Sequence, residues 1–307
     1  MPADARFGDK SAVEVVTLNA PIFIYADMGD GFNEVTRGTI QKIDITETNK
    51  NFTLDVDAAD ECIALRHSQD DFYFTADHSS TAILEEIFSK WGVPHEIHIT
   101  DVKHDKKVYR NRYLSDMVAD VLKDLKEKGG GVYFVRARGG VIEIIERGTN
   151  DMMYQFDTAD NLIRTQESFD ITSLVTRVQV VGKQSTEGKQ RIDATIDGKT
   201  QFGVRQIFYV RDDKTTLEEA TKAAQGILDE QGDVKHKVTL ESPDIPTLRK
   251  GDRIRVKYSS GESYFFVKAI RHNAASAKMT LDLDEDKDKN AAFDTARTDE
   301  SNSSAPP

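Results

Sequence analysis

Cysteine is nearly absent from the sequence: Cys62 is the single one among 307 residues. An internal disulfide is therefore impossible, which excludes an extracellular scaffold stapled by disulfides. Cys62 lies between "DAADE" and "IALRH", in a short amphipathic run, where a buried small side chain is favoured over a reactive thiol.

Long apolar runs are also missing. No stretch approaches the roughly 18 apolar residues that a membrane-spanning helix needs. The N-terminal segment "MPADARFGDK" lacks the apolar core of a secretory signal. We therefore expect a protein that is made in a cytoplasm and is not inserted into a membrane.

Positive charge is in deficit, with 41 lysines and arginines against 53 aspartates and glutamates, a formal net charge of −12. Such a chain has no excess of cations with which to displace counterions from phosphates, so we expect no stable binding to nucleic acid. The hydrophobic content of 38% and the charged content of 31% are typical of a globular chain. Its length favours two or three domains.

Motifs that carry chemistry are absent. There is no phosphate loop of the GxxxxGK type, no dinucleotide fingerprint opening a helix and no GxSxG nucleophile elbow. The stretch "DLDEDKDKN" resembles a calcium loop, but its sixth and twelfth positions are Lys287 and Phe293 instead of glycine and glutamate. Adjacent acids such as Glu85 and Glu86 are interpreted as solvent-facing helix residues.

Five of the seven histidines cluster in the middle of the chain: His67, His78, His95, His98 and His104. His95 and His98 are three apart on a predicted strand, so they point to opposite faces of it. We interpret the cluster as solvated strand and loop histidines. We accordingly assign no catalytic residue, no cofactor-binding residue and no metal ligand, and we predict no cofactor and no enzymatic activity.

One basic run, "KHDKKVYRNR", spans residues 103–112. Two interpretations remain open. A plain solvated loop is favoured, and a loop that contacts an acidic partner surface is the alternative.

Alternating apolar residues predict an antiparallel meander with one buried face in the first 66 residues. Its strands are "VEVV", "PIFIYA", "TRGTIQKIDITET" and "FTLDVDAAD", with a hairpin at Asp30-Gly31. A compact α/β segment with two helices over a small sheet is predicted for residues 67–150. The first of these helices is expected to be capped by Ser80 or Thr81, and the second by Ser115.

A second β region is predicted for residues 151–285, of which residues 165–200 may instead complete the first β domain. Asp197-Gly198 is expected to turn a hairpin, and Ser260-Gly261 another. The single helix of this region is predicted to begin with a capping box formed by Thr215 and Glu218. Residues 286–307 lack period and core-forming side chains, and are predicted to be a disordered tail.

The order of these elements resembles the XkdQ/YqbQ family of phage and prophage tail proteins, related to the late control protein D group and the central baseplate hubs of contractile tails. The resemblance rests on "VTRGTIQKIDITETNKNFTLDVDAADECIALRHS", "FYFTADHSSTAILEEIFSKWGVP", "YLSDMVADVLKDLKEKGGGVYFVRARGGVIEIIERG", "TKAAQGILDEQG", "LRKGDRIRVKY" and "SYFFVKAIRHNAASAKMTLDLDE". It covers about residues 13 to 285. "ECIAL" departs from it, standing where the family has a YL-like helix.

The resemblance implies an α+β, mainly β fold, with two barrel-like antiparallel β domains and an inserted small α/β domain. It also implies a structural baseplate hub: a homotrimeric ring that joins the tail tube to the central spike. The implied partners are copies of itself, the tail tube protein, the tape-measure protein, the spike and other baseplate proteins. The implied location is the tail baseplate of a virion assembled in the bacterial host cytoplasm.

Two other functions stay open at this point. A tail-associated cell-wall hydrolase would need a catalytic constellation assembled from distant residues, which sequence motifs do not reveal. A soluble β-rich ligand-binding module would use sheet faces for a small ligand or carbohydrate. Large exposed apolar faces on the isolated chain would favour an assembly protein over the binding module.

Overall fold

The computed structural model of the chain describes residues 6–7, 9–27, 29, 31–49, 52–182, 190–212, 215–258 and 261–290. Strands account for 47% and helices for 21% of the chain, which confirms the predicted α+β, mainly β class. The strands are β1 (Arg6–Phe7), β2 (Lys10–Ser11), β3 (Pro21–Asp27), β4 (Phe32–Glu47), β5 (Phe52–Ala59), β6 (Gln69–Phe74), β7 (His95–Ile97), β8 (Lys107–Tyr113), β9 (Tyr133–Arg138), β10 (Val141–Glu146), β11 (Tyr154–Asp157), β12 (Arg164–Asp170), β13 (Arg177–Val181), β14 (Ile192–Asp197), β15 (Gln206–Val210), β16 (Lys235–Pro243), β17 (Arg253–Tyr258), β18 (Gly261–Asn273) and β19 (Lys278–Glu285). The helices are α1 (Ala12–Val15), α2 (Ile63–His67), α3 (Ser80–Lys90), α4 (Leu114–Glu127) and α5 (Leu217–Gln231), with a 3₁₀ turn at Thr200–Phe202.

The chain divides into two compact units. The larger comprises residues 1–162, 242–281 and 285–307, and the smaller comprises residues 163–241 and 282–284. The sheets are open: within the part of the chain that the structure describes, no sheet closes into a barrel. The predicted domain boundaries near residues 66, 150 and 285 stay a prediction. Among the described residues, no helix combines the length and the apolar character needed to cross a bilayer.

In the larger unit, β3, β4 and β5 form the predicted antiparallel meander in that order. The predicted strand "VEVV" is wrong, because this stretch belongs to α1. The Glu14 carboxylate accepts hydrogen bonds from the Ser11 backbone N–H at 2.7 Å and from the Ser11 hydroxyl at 2.9 Å, and these lower the pKa of Glu14. The capping contact favours a helical turn over the extended backbone that valines prefer. Asp30 of the predicted hairpin lies outside the described residues.

The α/β segment has one core between α3, α4 and the strands around them. Four apolar side chains of α3 are fully buried, namely Ile83, Leu84, Ile87 and Phe88, and they recur at the helical spacing that the sequence predicts. From α4, Met117, Val118, Val121 and Leu125 join the same core. The strands form the sheet β7-β10-β9, in which β7 is parallel to β10, and the separate antiparallel pair β6-β8.

The beginnings of both helices differ from the prediction. Ser79, not Ser80 or Thr81, caps α3, and its hydroxyl accepts a hydrogen bond from the Ala82 backbone N–H at 3.2 Å. At α4 the predicted cap Ser115 already lies inside the helix. The preceding residue, Leu114, donates its backbone N–H to the carbonyl of Ser68 at 3.0 Å. A tertiary acceptor therefore takes the place of a local cap.

The smaller unit contains a second sheet, with the order β14-β13-β15. The hairpin predicted at Asp197-Gly198 is wrong, because β14 and β15 are not neighbours: β13 lies between them, antiparallel to β14 and parallel to β15. Gly198 instead donates its backbone N–H to the Thr176 carbonyl at 2.9 Å. In the same unit β12 pairs antiparallel with β16.

Helix α5 packs on this sheet through Ala220, Ala224 and Leu228. Its capping box is formed by Thr216 and Glu219, one residue later than predicted. Thr216 Oγ1 accepts the Glu219 backbone N–H at 3.2 Å, and the Glu219 carboxylate accepts the Thr216 backbone N–H at 2.8 Å.

The position of this cap can be tested directly by mutation. We expect Thr216→Ala to lower the free energy of unfolding of the smaller unit by about 1 kcal/mol, because two backbone donors of the first turn lose their pairing geometry. Thr215→Ala, one residue earlier, should change it by less than about 0.5 kcal/mol. Urea titrations of both variants decide the matter, and a larger loss for Thr215→Ala would contradict the assignment.

In the larger unit β11 pairs parallel with β17, which pairs antiparallel with β18. Residues 286–290, placed in the predicted tail, form a helical turn held against this sheet. Asp286 is buried and bonds Arg253 Nε at 2.8 Å, and the Asn290 side chain accepts the Tyr264 backbone N–H at 2.7 Å. Residues 291–307 lie outside the described residues, as does Ser260 of the predicted hairpin.

Candidate functional site

The sequence predicts that the meander β3-β4-β5 buries one full face. The structure instead leaves large apolar side chains of the meander exposed. Ile40 and Leu54 are buried, but Phe32 is 76% exposed and Ile45 is 54% exposed. Other exposed apolar residues here and in the segment before β3 are Val15, Leu18, Phe23, Ile24 and Tyr25. Patches of this kind mark interaction surfaces in soluble proteins.

Part of this surface forms a groove of about 380 Å³, which we call the apolar meander groove. Leu18, Ile43, Ile45 and Leu54 supply its apolar lining, and Gln41 and Lys42 stand at its rim. Lys42 is paired with the Asp44 carboxylate. The groove is therefore apolar in its centre and neutralised at its edge, a composition that suits burial against another protein surface.

A second concave surface of the larger unit is a charged cleft of about 840 Å³. Arg136 bonds the Glu143 carboxylate at 2.9 Å and the Asp252 carboxylate at 3.4 Å across it. Arg37 bonds Glu34 at 2.6 Å at another point of the lining. The charges of these side chains therefore offset one another within the cleft.

The turn Gly251-Asp252 borders this cleft and explains the "KGD" of the sequence. Gly251 has φ +92, and a Cβ there would lie 3.2 Å from Phe134, so glycine fits best. The Asp252 carboxylate accepts the Arg249 backbone N–H at 2.9 Å and closes the turn. Burial raises the pKa of Asp252, and burial lowers the pKa of Arg249, whose guanidinium donates to the backbone carbonyl of Val35. These charges hold the turn in place.

The structure brings together a serine, a histidine and an aspartate that no motif of the sequence connects. His104 Nε2 lies 2.7 Å from Ser80 Oγ, and His104 Nδ1 lies 2.5 Å from Asp124 Oδ2. Ser80 opens α3, Asp124 lies near the end of α4, and His104 lies in the segment between β7 and β8. The contacts follow the connectivity of a serine hydrolase triad.

Burial decides against a catalytic role for these three residues. A nucleophilic serine must meet its substrate, with donors placed around the developing oxyanion. Ser80 is 0% exposed and His104 is 2% exposed. The arrangement therefore fastens the segment before β8 to both helices. Two backbone bonds act with it, from Ser80 N–H to the Val102 carbonyl at 3.0 Å and from His104 N–H to the His78 carbonyl at 2.9 Å.

His104 corrects the interpretation of the histidine cluster as solvated, because it is a satisfied core histidine. His67 and His98 are exposed, as predicted, whereas His78 and His95 are half-buried. The ring nitrogens of the last two bond backbone carbonyls, at 3.0 Å to Thr75 and at 2.8 Å to Val93. Across the described residues, no three His, Cys, Asp or Glu side chains are placed to hold a metal ion.

The polar network continues along α4 and corrects the prediction of a solvated basic loop. Residues 107–113 form the strand β8, and Lys107 Nζ bonds Asp120 at 2.8 Å and Asp124 at 3.3 Å. Tyr109 is buried and donates its hydroxyl to Asp120 at 2.7 Å. Burial alone would raise the pKa of Asp124, but the His104 hydrogen bond and the Lys107 charge outweigh it and lower that pKa. Asp124 is therefore ionised at neutral pH.

Cys62 is half-buried against the core, consistent with the predicted role as a small apolar side chain. Burial raises the pKa of its thiol to about 12, and the neighbouring Asp60 adds to the effect. The thiol is therefore protonated at neutral pH and unreactive. The acidic stretch is also engaged: Asp282 bonds Thr239 at 3.0 Å and Asp286 bonds Arg253.

A family model described as YQBQ-like matches residues 26–284. No curated protein sequence matches the chain. Among solved structures, a tail protein from Neisseria meningitidis is similar, with a TM-score of 0.62, 12% identity and coverage of 82% of this chain and 81% of that one. A 43 kDa tail protein of prophage MuSo2 from Shewanella oneidensis has a TM-score of 0.62, 13% identity and coverage of 82% and 79%.

A third similar structure is the Escherichia coli protein c3393. It is described as a component of the type VI secretion system, with structural similarity to the T4 tail proteins gp27 and gp5. Its TM-score is 0.50 at 9% identity, with coverage of 85% of this chain and 63% of that one. At these identities the likenesses establish a shared fold.

Proposed function

Because the chain belongs to the YQBQ-like family, we propose that it is a structural protein of a phage or phage-like tail and acts by assembly, without catalysis. Its finer role in this proposal is that of a baseplate hub in a contractile tail. Three copies form a ring that joins the tail tube to the central spike. Its partners are then the tube, tape-measure, spike and other baseplate proteins, and its place is the baseplate of a virion assembled in the host cytoplasm.

The observation that carries this proposal is the apolar meander groove. Burying apolar surface yields about 25 cal/mol per Å² removed from water, and stable interfaces bury a central apolar region inside a polar rim. Leu18 is 62% exposed and Ile45 is 54% exposed in the isolated chain, which leaves both available to a second copy. The open edges of a three-stranded sheet favour the same use, because edge strands are commonly covered in assemblies.

The mass of the chain in solution tests the proposal. We expect light scattering to give about three times the 34.4 kDa chain mass for the chain alone, or a complex that contains three copies of it when the tube and spike proteins of the same particle are present. Leu18→Glu/Ile45→Glu should return the mass to that of the monomer, because charged groups in an apolar interface lose their water without a partner. The matched control Leu18→Met/Ile45→Val should assemble like the parent.

Two outcomes would contradict the proposal. If the parent chain stays monomeric with both partner proteins present, the hub role is contradicted. Assembly that survives the double glutamate variant would place the interface elsewhere. A hydrolase is tested separately by release of soluble fragments from purified peptidoglycan, where we expect none, since Ser80 is closed to substrate.

A further inference from the structure

The antiparallel pair β6-β8 has two different faces. The inner face carries Phe72, Phe74 and Tyr109, all buried in the α/β core. On the outer face Tyr73 lies directly opposite Val108, and these side chains are 60% and 46% exposed. Two apolar side chains thus form an uncovered cross-strand pair on a ribbon of only two strands.

Two cations border this pair. Lys106 Nζ lies 5.1 Å from the centre of the Tyr73 ring, and Arg110 is exposed two positions beyond Val108. Neither cation pairs with a carboxylate anywhere in the described ranges. The neighbouring acids are engaged elsewhere: Asp71 accepts the Asn111 backbone N–H at 2.5 Å, and Asp105 bonds Lys128 at 3.0 Å. We call Tyr73, Lys106, Val108 and Arg110 the basic ribbon face.

Two other cations of β8 serve as an internal comparison. Lys107 is held between two aspartates of α4, and the Arg112 guanidinium lies 5.6 Å from the Tyr109 ring. These contacts account for Lys107 and Arg112, whereas Lys106 contacts the exposed Tyr73 ring and Arg110 has no carboxylate partner among the described residues. In a chain with a net charge of −12, two unpaired cations around an apolar pair need another explanation.

We propose that the basic ribbon face binds an extended acidic segment of a partner protein, one whose ribbon-facing residues, every second one along the segment, alternate between carboxylate and apolar side chains. Residues two apart in extended backbone share a face, so Lys106, just before β8, and Arg110 are spaced by about 13 Å. In such a segment, carboxylates four residues apart meet Lys106 and Arg110, and the apolar side chain midway between them meets Tyr73 and Val108. Cross-strand contacts of this type combine charge pairing with apolar burial.

A nucleic acid fits this face less well. The net charge of the chain repels a polyanion at long range, and two cations release few counterions. A phosphate backbone also offers no apolar group to cover Val108. A protein segment of moderate charge is repelled less by the chain. It can also contact both the cations and the apolar pair.

Fluorescence anisotropy with a labelled peptide of the repeat Glu-Ser-Leu-Ser, which places glutamate and leucine alternately on one face of an extended chain, tests the proposal. We expect saturable binding that weakens as salt is added, because exposed charge pairs are screened. A Lys-Ser-Leu-Ser peptide of the same length and an oligothymidylate of the same net charge should bind at least about tenfold more weakly. Preferential binding of the oligothymidylate would overturn the assignment of a protein partner.

Variants locate the binding. Lys106→Glu/Arg110→Glu should weaken binding of the Glu-Ser-Leu-Ser peptide about tenfold, since each exposed pair contributes modestly and both turn repulsive. Tyr73→Ala should weaken it about threefold through the lost aromatic contact. The control Lys222→Glu/Lys287→Glu makes the same charge change at exposed positions outside β6 and β8 and should have little effect. An equal loss in the control, or no binding by the parent chain, would overturn the proposal.

Discussion

Replacing His104 with alanine should lower the free energy of unfolding of the larger unit by about 3 kcal/mol. The change removes a buried ring and leaves Ser80 Oγ, also buried, with only the Val102 carbonyl at 3.3 Å. A buried hydroxyl left with one long hydrogen bond costs up to about 1–3 kcal/mol, and the cavity adds to this loss. Urea unfolding gives the value, and His98→Ala, at an exposed histidine of the same segment, should cost less than about 0.5 kcal/mol.

A double-mutant cycle separates the hydrogen bond from the cavity. Ser80→Ala alone should cost about 1 kcal/mol, because it leaves the imidazole one partner short. Adding Ser80→Ala to His104→Ala should cost less than the sum of the two single changes, since the double variant has no buried hydroxyl that has lost its imidazole partner. Additive losses, or equal losses for His98 and His104, would show that the Ser80–His104 contact does not hold the segment.

The helices of the α/β segment show what the sequence predicts well. The stripe of Ile83, Leu84, Ile87 and Phe88 identifies α3 and its buried face, because apolar spacing alone determines which side enters the core. The fate of Trp91 is less predictable. It follows the same period, yet it is 41% exposed and donates its indole N–H to Asp70 at 2.9 Å. A polar tip at the end of a stripe can turn outward wherever an acceptor is near.

The helix caps show where the local sequence no longer determines which residue begins a helix. Ser79, Ser80 and Thr81 all carry a hydroxyl suited to an N-cap, so the sequence cannot rank them. Ser80 does not cap the helix, because its hydroxyl bonds His104, which is 24 residues away in the chain. Thr215 and Thr216 form a similar pair of equivalent neighbours. In both helices the start is predicted to within a residue, and its register is fixed by context.

The candidate surfaces were less accessible to sequence reasoning than the core. The groove around Ile45 uses the same alternation as a buried strand face, so the pattern cannot tell a face covered within the chain from one left uncovered. The charge of the basic run predicts a solvated loop. It does not reveal that Lys107 and Tyr109 face inward to Asp120. The partner acid lies on a different element, and no spacing rule connects them.

Gly38→Ala should destabilise the meander by about 3 kcal/mol. A Cβ on Gly38 would lie 2.3 Å from the carbonyl oxygen of Ala59 and 2.7 Å from its carbon. Both atoms belong to the backbone of β5, so no side-chain rotation relieves the clash. The strands must separate, which breaks hydrogen bonds on either side of the Thr39–Ala59 pair.

Gly226→Ala makes the same chemical change where the structure leaves room. Gly226 lies within α5, a Cβ there would meet nothing within 4 Å, and its backbone is not left-handed. Alanine should therefore raise the free energy of unfolding of the smaller unit by about 0.5–1 kcal/mol, through higher helix propensity. Urea titration of the two variants, with hydrogen exchange to locate each change, compares them directly. The close approach of β4 and β5 requires the two substitutions to change the free energy of unfolding in opposite directions. A Gly38→Ala variant as stable as the parent would mean that these strands are farther apart than the structure places them.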